Sequence, residues 1–316
     1  MSLYINRYNA IKKSWKFFKN SSKNKKIRIR DAAKQLNTSE AELITTELSS
    51  DSIYLNIPDY EQFLKQFVKI DKLMVLVRND YIVHEKVIKG NELLFSVNKV
   101  FNIDAPGVKS LLSIAPKIFK YAFYIKKNHA GHELRSYQLF GYNGDSILKI
   151  YLKGNDISYF EKIKDNYIVN YNFELQKQIT NSKDLISLKN KIDSKSICNF
   201  LSNKNSFIKE ILLMISNMKM SVEIQVLGFD IIQSHYGLIN KIVDYGPWVN
   251  VMDKEFNLHI LESGVTRSNF YDYNHGNKKN TFIEFVDKEN NALMRILFDN
   301  NNYKTIINNL GVANEK

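Results

Sequence analysis

Apolar and polar residues along this chain fall into short runs with two alternating periods. After Pro58, Phe63, Leu64, Phe67 and Val68 recur at the spacing of one helical face. Leu73 to Val77 is then an unbroken apolar strand, Asn79-Asp80 turns the chain, and Tyr81 to Val87 is a second strand with His84 inside it. The same order returns later. Phe207 to Met218 is helical, and Val222, Ile224 and Val226 alternate with Ser221, Glu223 and Gln225 as a strand. Phe229-Asp230 turns, and Ile231 to Ile239 carries His235. Further on, Phe256, Leu258 and Ile260 alternate with Asn257 and His259, the period of a half-buried strand.

Laying residues 76–88 on 227–239 superposes His84 on His235. The segment 136–153, a strand, a polar turn and a second strand, resembles 281–299 in the same way. The chain therefore reads as a tandem structural repeat with about 150 residues per unit, an ordinary domain size. Residues 1–154 are expected to form the first repeat with its N-terminal helices, 155–205 a partly helical linker, and 206–316 the second repeat. A helix followed by consecutive hairpins predicts an α+β fold, each half an antiparallel sheet with helices packed on one face.

Residues 1–22 read as a helix with Trp15, Phe17 and Phe18 on or near one face, followed by a basic connector at 23–30. Residues 30–48 hold two short helical patterns broken at Asn37-Thr38, and Ser39 with Glu42 fits a capping box. This segment has the layout of a helix-turn-helix; a helical pair covering one end of a sheet has the same spacing.

Composition narrows the classes. With 316 residues, 44 % of them hydrophobic and with 18 tyrosines and 19 phenylalanines, the chain can bury a sizeable core. No apolar run has the length of a membrane span, and the N-terminus lacks the apolar stretch of a secretory signal. The single cysteine, Cys198, excludes an intramolecular disulfide and a thiolate zinc cluster, so a cytoplasmic location is expected. The net charge of +12 suits nucleic acid, a membrane surface or a small anion, and Lys and Asn are abundant throughout. No Gly-rich phosphate loop, Gly-x-Ser-x-Gly elbow or His-Glu-x-x-His motif is present.

One stretch is distinctive. A histidine strand (231–239) precedes Gly246-Pro247-Trp248, and Phe256-Asn257-Leu258-His259 follows. Together with 75–87 and the Arg30-Asp31…Ser39-Glu40-Ala41-Glu42-Leu43 segment, it resembles the haemin-degrading factor family of HemS/ChuX type over nearly the whole chain. The resemblance implies two repeats, haem as ligand or substrate, and a role in trafficking imported haem or degrading it to release iron. Degradation would draw on oxygen and an electron donor. A haem importer or a downstream haem acceptor would be the partner, and the protein a monomer or dimer.

The family's axial histidine lies in an Asp-x-His-x-Phe-Phe segment between the repeats, and this chain has no histidine between His132 and His235. Tyr167 or Tyr171, as a phenolate, or Cys198 could stand in. In the second repeat the family's haem-contacting Tyr and Arg are replaced by Leu297 and Asn300, and its pocket lysine falls near 272–274. The first repeat keeps more: Lys127 in the matching turn, Tyr151 at the tyrosine position and Lys149 two residues before it. The resemblance thus implies haem in the first half, its propionates held by Lys127, Lys149 and Arg135 and its iron near His84, His129 or His132. Against this, His84 and His235 could share a fold role such as a satisfied hydrogen bond, and His129 and His132 could be solvated loop residues. The competing function is a nucleic-acid-binding regulator that uses residues 23–48.

Overall fold

The computed structural model describes residues 2–24, 27–97, 111–114, 117–169, 195–201, 207–275, 278–298 and 306. In chain order the first elements are helices α1 (Ser2–Asn20), α2 (Ile29–Gln35) and α3 (Glu40–Thr45), strand β1 (Ser52–Leu55) and helix α4 (Tyr60–Lys65). Strands β2 (Leu73–Arg78), β3 (Ile82–Ile88), β4 (Phe95–Val97), β5 (Leu112–Ile114), β6 (Tyr121–His129), β7 (His132–Phe140) and β8 (Ser146–Leu152) follow. Next come helix α5 (Ile157–Lys162), strand β9 (Lys195–Leu201), helix α6 (Phe207–Asn217), and strands β10 (Val222–Leu227), β11 (Ile231–Gly237) and β12 (Ile242–Tyr245). The last are β13 (Trp248–Met252), β14 (Phe256–Leu261), β15 (Arg267–His275), β16 (Lys278–Val286) and β17 (Ala292–Phe298). The fold is α+β with antiparallel pairing predominant, as the hydrophobic pattern predicts.

The chain forms two compact units. The first comprises residues 1–74, 89–91 and 117–187, and its strands run in the order β1-β6-β7-β8, all antiparallel. The helices cover both faces of this sheet rather than the one face expected from element order. Ala41 and Ile44 of α3 pack with Tyr54, Phe123, Ile125 and Phe140 on one face. On the other, Phe63 of α4 and Phe160 of α5 surround Tyr137, with ring centroids 5.5 and 4.9 Å away. Strands β6 and β7 are apolar at both odd and even positions (123–125; 137, 139 and 140), so each face needs its own cover.

The Ser39–Glu42 capping box forms as expected. The Ser39 hydroxyl accepts from the Glu42 amide at 3.2 Å, and the Glu42 carboxylate accepts from the Ser39 amide at 3.0 Å. All six residues of α3 are buried. The Ala41 amide donates to the Gly144 carbonyl at 2.9 Å and the Ser146 amide to Glu40 at 3.2 Å, which ties α3 to the β7–β8 turn. In α1, Trp15 is buried with Ala32, Ala33 and Leu43, whereas Phe17 is 80 % exposed. At about 100° per residue, a helix that turns Trp15 inward turns Phe17 away from the same core.

The second unit comprises residues 75–88, 92–116 and 188–316. It takes in the β2–β3 hairpin, although that hairpin lies in the first half of the sequence. One strand set runs β2-β3-β14-β13-β12 and another β4-β5-β11-β10-β17-β16-β15-β9. Both sets and Ile208, Ile211, Leu212 and Ile215 of α6 share one apolar core. Gly246-Pro247 is the two-residue loop of the β12–β13 hairpin; Gly246 sits at φ 58°, where a Cβ would be strained, and Tyr245 pairs with Trp248. The Asn79-Asp80 turn forms as expected. The Asn79 side chain accepts from the Tyr81 and Ile82 amides at 3.0 and 2.8 Å and donates to the Leu227 and Leu293 carbonyls, both at 2.9 Å. One carboxamide therefore bolts the β2–β3 turn to the ends of β10 and β17. Replacing it should lower the urea midpoint without changing the denaturant slope, and Asn79→Ala is expected to cost on the order of 2–4 kcal/mol. An unaltered midpoint would show that those carbonyls find other donors.

Candidate functional site

Cross-strand pairing decides which polar side chains of the first unit meet. Gln138 lies opposite both Phe123 and Lys149, and Ser136 opposite both Ile125 and Tyr151. Leu134 lies opposite Lys127, and His132 opposite His129. Directly opposed residues, and residues two apart along a strand, share a sheet face. Lys149, Tyr151, Lys127 and the His129–His132 pair therefore occupy successive rungs on one face, spread over about 20 Å of strand. This is the face that α3 covers at its other end. Lys149 is buried and Tyr151 half-buried, and beside them the Gln138 amide donates to the Ser136 hydroxyl at 3.1 Å. Lys127 stands near Lys19 of α1. Desolvation lowers both ammonium pKa values, and repulsion from Lys127 adds to the shift of Lys19.

His129 and His132 close the β6–β7 hairpin across Ala130 (φ 49°) and Gly131 (φ 82°), and both are exposed. Arg135 parts from this group. It lies opposite Lys126, one residue out of phase with Lys127, so it points to the other face. There its Nε donates to Glu161 at 2.7 Å, its Nη2 pairs with Glu133, and the Tyr124 hydroxyl donates to the same Glu161 oxygen at 3.0 Å. Arg135 holds the Glu161 carboxyl below its usual range and is committed to the α5 side of the sheet.

The matching face of the second unit is built differently. Arg295, in the position of Lys149, is fully buried on β17, opposite Glu284 and Gln225. Its Nε donates to Glu284 at 2.8 Å, while Nη1 and Nη2 have no hydrogen-bond partner. Its guanidinium lies 5.9 Å from the centre of the Phe282 ring, which stacks on Tyr271 at 5.0 Å. Leu297 is fully buried in the position of Tyr151, and a second buried carboxylate, Glu223, accepts from Gln225 at 2.9 Å. The buried Arg295 is matched by a carboxylate within hydrogen-bonding distance, and another carboxylate stands on the same face.

His84 lies in the second unit, on β3. It is fully buried, its ring centroid 5.0 Å from that of Phe256, and neither ring nitrogen has a hydrogen-bond partner. The expected satisfied hydrogen bond is absent. His235 stacks on the other side of the cluster, 3.8 Å from Phe256 and near-parallel, with its Nδ1 2.6 Å from the Lys86 ammonium. Burial, then repulsion from Lys86, pushes the His235 pKa down to about 3. Burial holds His84 well below its ordinary value, with His235 and Lys86 adding to the effect. The Lys86–His235 contact had no signal in the sequence beyond the superposition of the two strands.

Among the remaining donors, Tyr171 lies outside the described residues. Tyr167 is half-buried against Phe63, its hydroxyl accepting from Gln66 at 2.6 Å. Cys198 lies on β9, opposite Phe270. His259 faces away from Phe256 and Leu258, as its alternation predicts, and contacts Asn250 at 2.7 Å. Among the described residues no group of three or more His, Cys, Asp or Glu side chains could hold a metal ion.

Comparison with known proteins places these features in context. The model of the haemin-degrading HemS/ChuX domain matches residues 37–167 and 203–310. The chain is 21 % identical over 284 residues to hemin transport protein HmuS of Yersinia pestis, and 22 % identical over 275 residues to hemin transport protein HemS of Yersinia enterocolitica. Each match covers 76 % of this chain and 78 % of the relative. Its fold is similar to that of the heme-degrading enzyme ChuS of Escherichia coli O157:H7, with a TM-score of 0.72 at 20 % identity over 93 % of this chain and 94 % of that one. It is also similar to holo-PhuS, a heme-binding protein from Pseudomonas aeruginosa, with a TM-score of 0.69 at 16 % identity over 92 % of each chain.

The histidine cluster makes stability depend on acidity. Both imidazoles are neutral in the folded chain, whereas unfolded histidines take up protons near pH 6.5. Below that pH the unfolded state binds more protons, so the stability they contribute is present above it and is lost as the pH falls. His84→Leu should flatten the fall in urea stability between pH 6.5 and 4.5 by up to about 1.4 kcal/mol per pH unit. Parallel pH profiles for the variant and the parent would contradict a neutral buried His84.

Proposed function

The chain belongs to the haemin-degrading HemS/ChuX family, and from that membership we propose that it binds haem, as ligand or substrate, on the α3-covered sheet face of its first unit. The gathering of Lys127, Lys149 and Tyr151 on one sheet face carries this reading. A haem brings an apolar disc and two carboxylates. On the first face Lys127 and Lys149 share one side of the sheet with Tyr151, and the residue opposite Lys149 is the neutral Gln138. On the second, Arg295 is already paired with Glu284, and a further buried carboxyl group, Glu223, stands on the same face. Lys127 and Lys149 are the proposed propionate partners, with Tyr151 between them along the ladder. His129 and His132, at the hairpin end of the same face, are the proposed source of an axial donor. Arg135 and His84 are left out, the first because it is held by Glu161 on the opposite face, the second because it is enclosed in the core of the other unit.

In this reading the protein receives imported haem in the cytoplasm from an importer and passes it to an acceptor, or breaks the macrocycle to free the iron. When bound, the haem iron supplies whatever oxygen chemistry follows; the chain's own residues hold the propionates, orient the disc and restrict water. No helix among the described residues is long and apolar enough to cross a membrane. Burial of every residue of α3 leaves that helix no face to set into a nucleic-acid groove, and nothing in the comparisons supports the nucleic-acid reading.

Titration with haemin, followed by absorption in the ferric and ferrous forms, tests the site. A saturable Soret shift is expected, weakened about tenfold by Lys127→Ala and similarly by Tyr151→Ala, the effect of about 1.4 kcal/mol per lost polar contact. Unchanged affinity in both variants would remove haem from this face. Ascorbate and oxygen added to the complex then separate degradation from carriage: loss of the Soret band with release of iron supports an enzyme, and a stable band a carrier.

A further inference from the structure

A groove of about 610 Å³ runs beside the second half of α1 and takes no part in the sheet-face site. Its walls include Phe17, Phe18 and Leu36, and Lys13, Lys16 and Asn20 also line it. Phe18 also reaches the small core beneath α1, where Trp15 stacks on it at 5.9 Å. Phe17, by contrast, is 80 % exposed, the largest exposure of any bulky apolar residue described. Helix α1 carries Arg7, Lys12, Lys13, Lys16 and Lys19 and no acidic residue. Arg7 is paired with Glu42 and Lys19 with Glu47. Among the described residues Lys13 and Lys16 have no ion-pair partner, and no carboxylate lines the groove.

The volume is that of a small-molecule site, and the lining sets the chemistry of what fits. Two neighbouring phenylalanines offer ring surface to a flat apolar body, and two ammonium groups within a turn of each other suit a pair of carboxylates. A compact inorganic anion would leave the aromatic wall without a partner, and a neutral apolar ligand would leave the cations unmatched. We propose that this groove is a second binding site for a planar dicarboxylate of the porphyrin class, outside the sheet face and independent of any iron ligand. The inference does not rest on the sheet-face reading, since no residue of that site lines the groove.

Metal-free protoporphyrin IX is the suitable probe, because it binds without an axial donor. The chain has two tryptophans, Trp15 and Trp248, so Trp248→Phe in the full-length protein leaves Trp15, on the helix that carries the groove, as the reporter. Quenching of its fluorescence by protoporphyrin IX should be saturable. Phe17→Ala, and separately the pair Lys13→Gln with Lys16→Gln, should weaken it about tenfold, or 1.4 kcal/mol, while Lys127→Ala and Tyr151→Ala leave that component in place. These α1 side chains are exposed, so circular dichroism and melting should match the parent. Quenching that survives all the α1 substitutions overturns the proposal, as does quenching that disappears only in the Lys127 and Tyr151 variants. A Trp15 response to phosphatidylglycerol vesicles with none to protoporphyrin IX also overturns it, in favour of a lipid surface. A Phe17-dependent signal in a protein that shows no haemin Soret shift would leave the groove standing while the sheet-face reading falls.

Discussion

A strand side chain has two faces to choose from, and the register with neighbouring strands decides what it meets there. The polar chemistry of the first unit depends on that constraint. Lys127, Lys149, Tyr151, His129 and His132 share a face because each pairing from His129–His132 to Gln138–Lys149 keeps the same phase. Arg135 is one residue out of phase, and that single step carries it to Glu161 on the opposite side. The same alternation in the second unit brings Arg295, Glu284, Phe282 and Leu297 together.

Buried charge separates the two units. A cation taken from water must be met by an anion, a set of hydrogen bonds or a ligand. At the matching position the second unit answers Arg295 with Glu284, which makes the face self-contained. The first unit sets the neutral Gln138 across from Lys149, where the second unit has the Glu284–Arg295 pair. The histidine cluster follows a different rule. Beside Phe256 and close to Lys86, His84 and His235 are held as neutral rings at ordinary pH, so they tie the stability of the second unit to pH.

The N-terminal segment shows how one sequence pattern serves two architectures. A capped pair of short helices is the opening of a DNA-binding motif and also a lid for a sheet. Here the lid is formed, because Ala41 and Ile44 complete an apolar cluster with Phe123 and Phe140, and Glu40 caps the β7–β8 turn. What remains outward is α1, with its lysines and Phe17, and the basic character of this region is concentrated there rather than on α3.

Much of this was legible in the residues alone. The strand order helix–hairpin–hairpin, its repetition, the Ser39–Glu42 box, the Asn79 turn and the outward face of His259 all follow from local propensity and period, which neighbouring residues set without help from the rest of the chain. The Gly246-Pro247-Trp248 stretch that carries the family resemblance is a hairpin loop and its first paired residue, so it too is a local backbone requirement. That Lys127, Lys149 and Tyr151 share a face has the same local origin: they lie at fixed offsets within a single hairpin and its next strand. Only tertiary structure decided the rest. Helices on both faces of the first sheet, Arg135 turned to Glu161, and His84 enclosed beside Phe256 are outcomes of which distant segments pack together. Period and propensity describe a residue's own strand or helix; burial and pairing depend on what lands opposite it, and that is settled only when the sheets close over their cores.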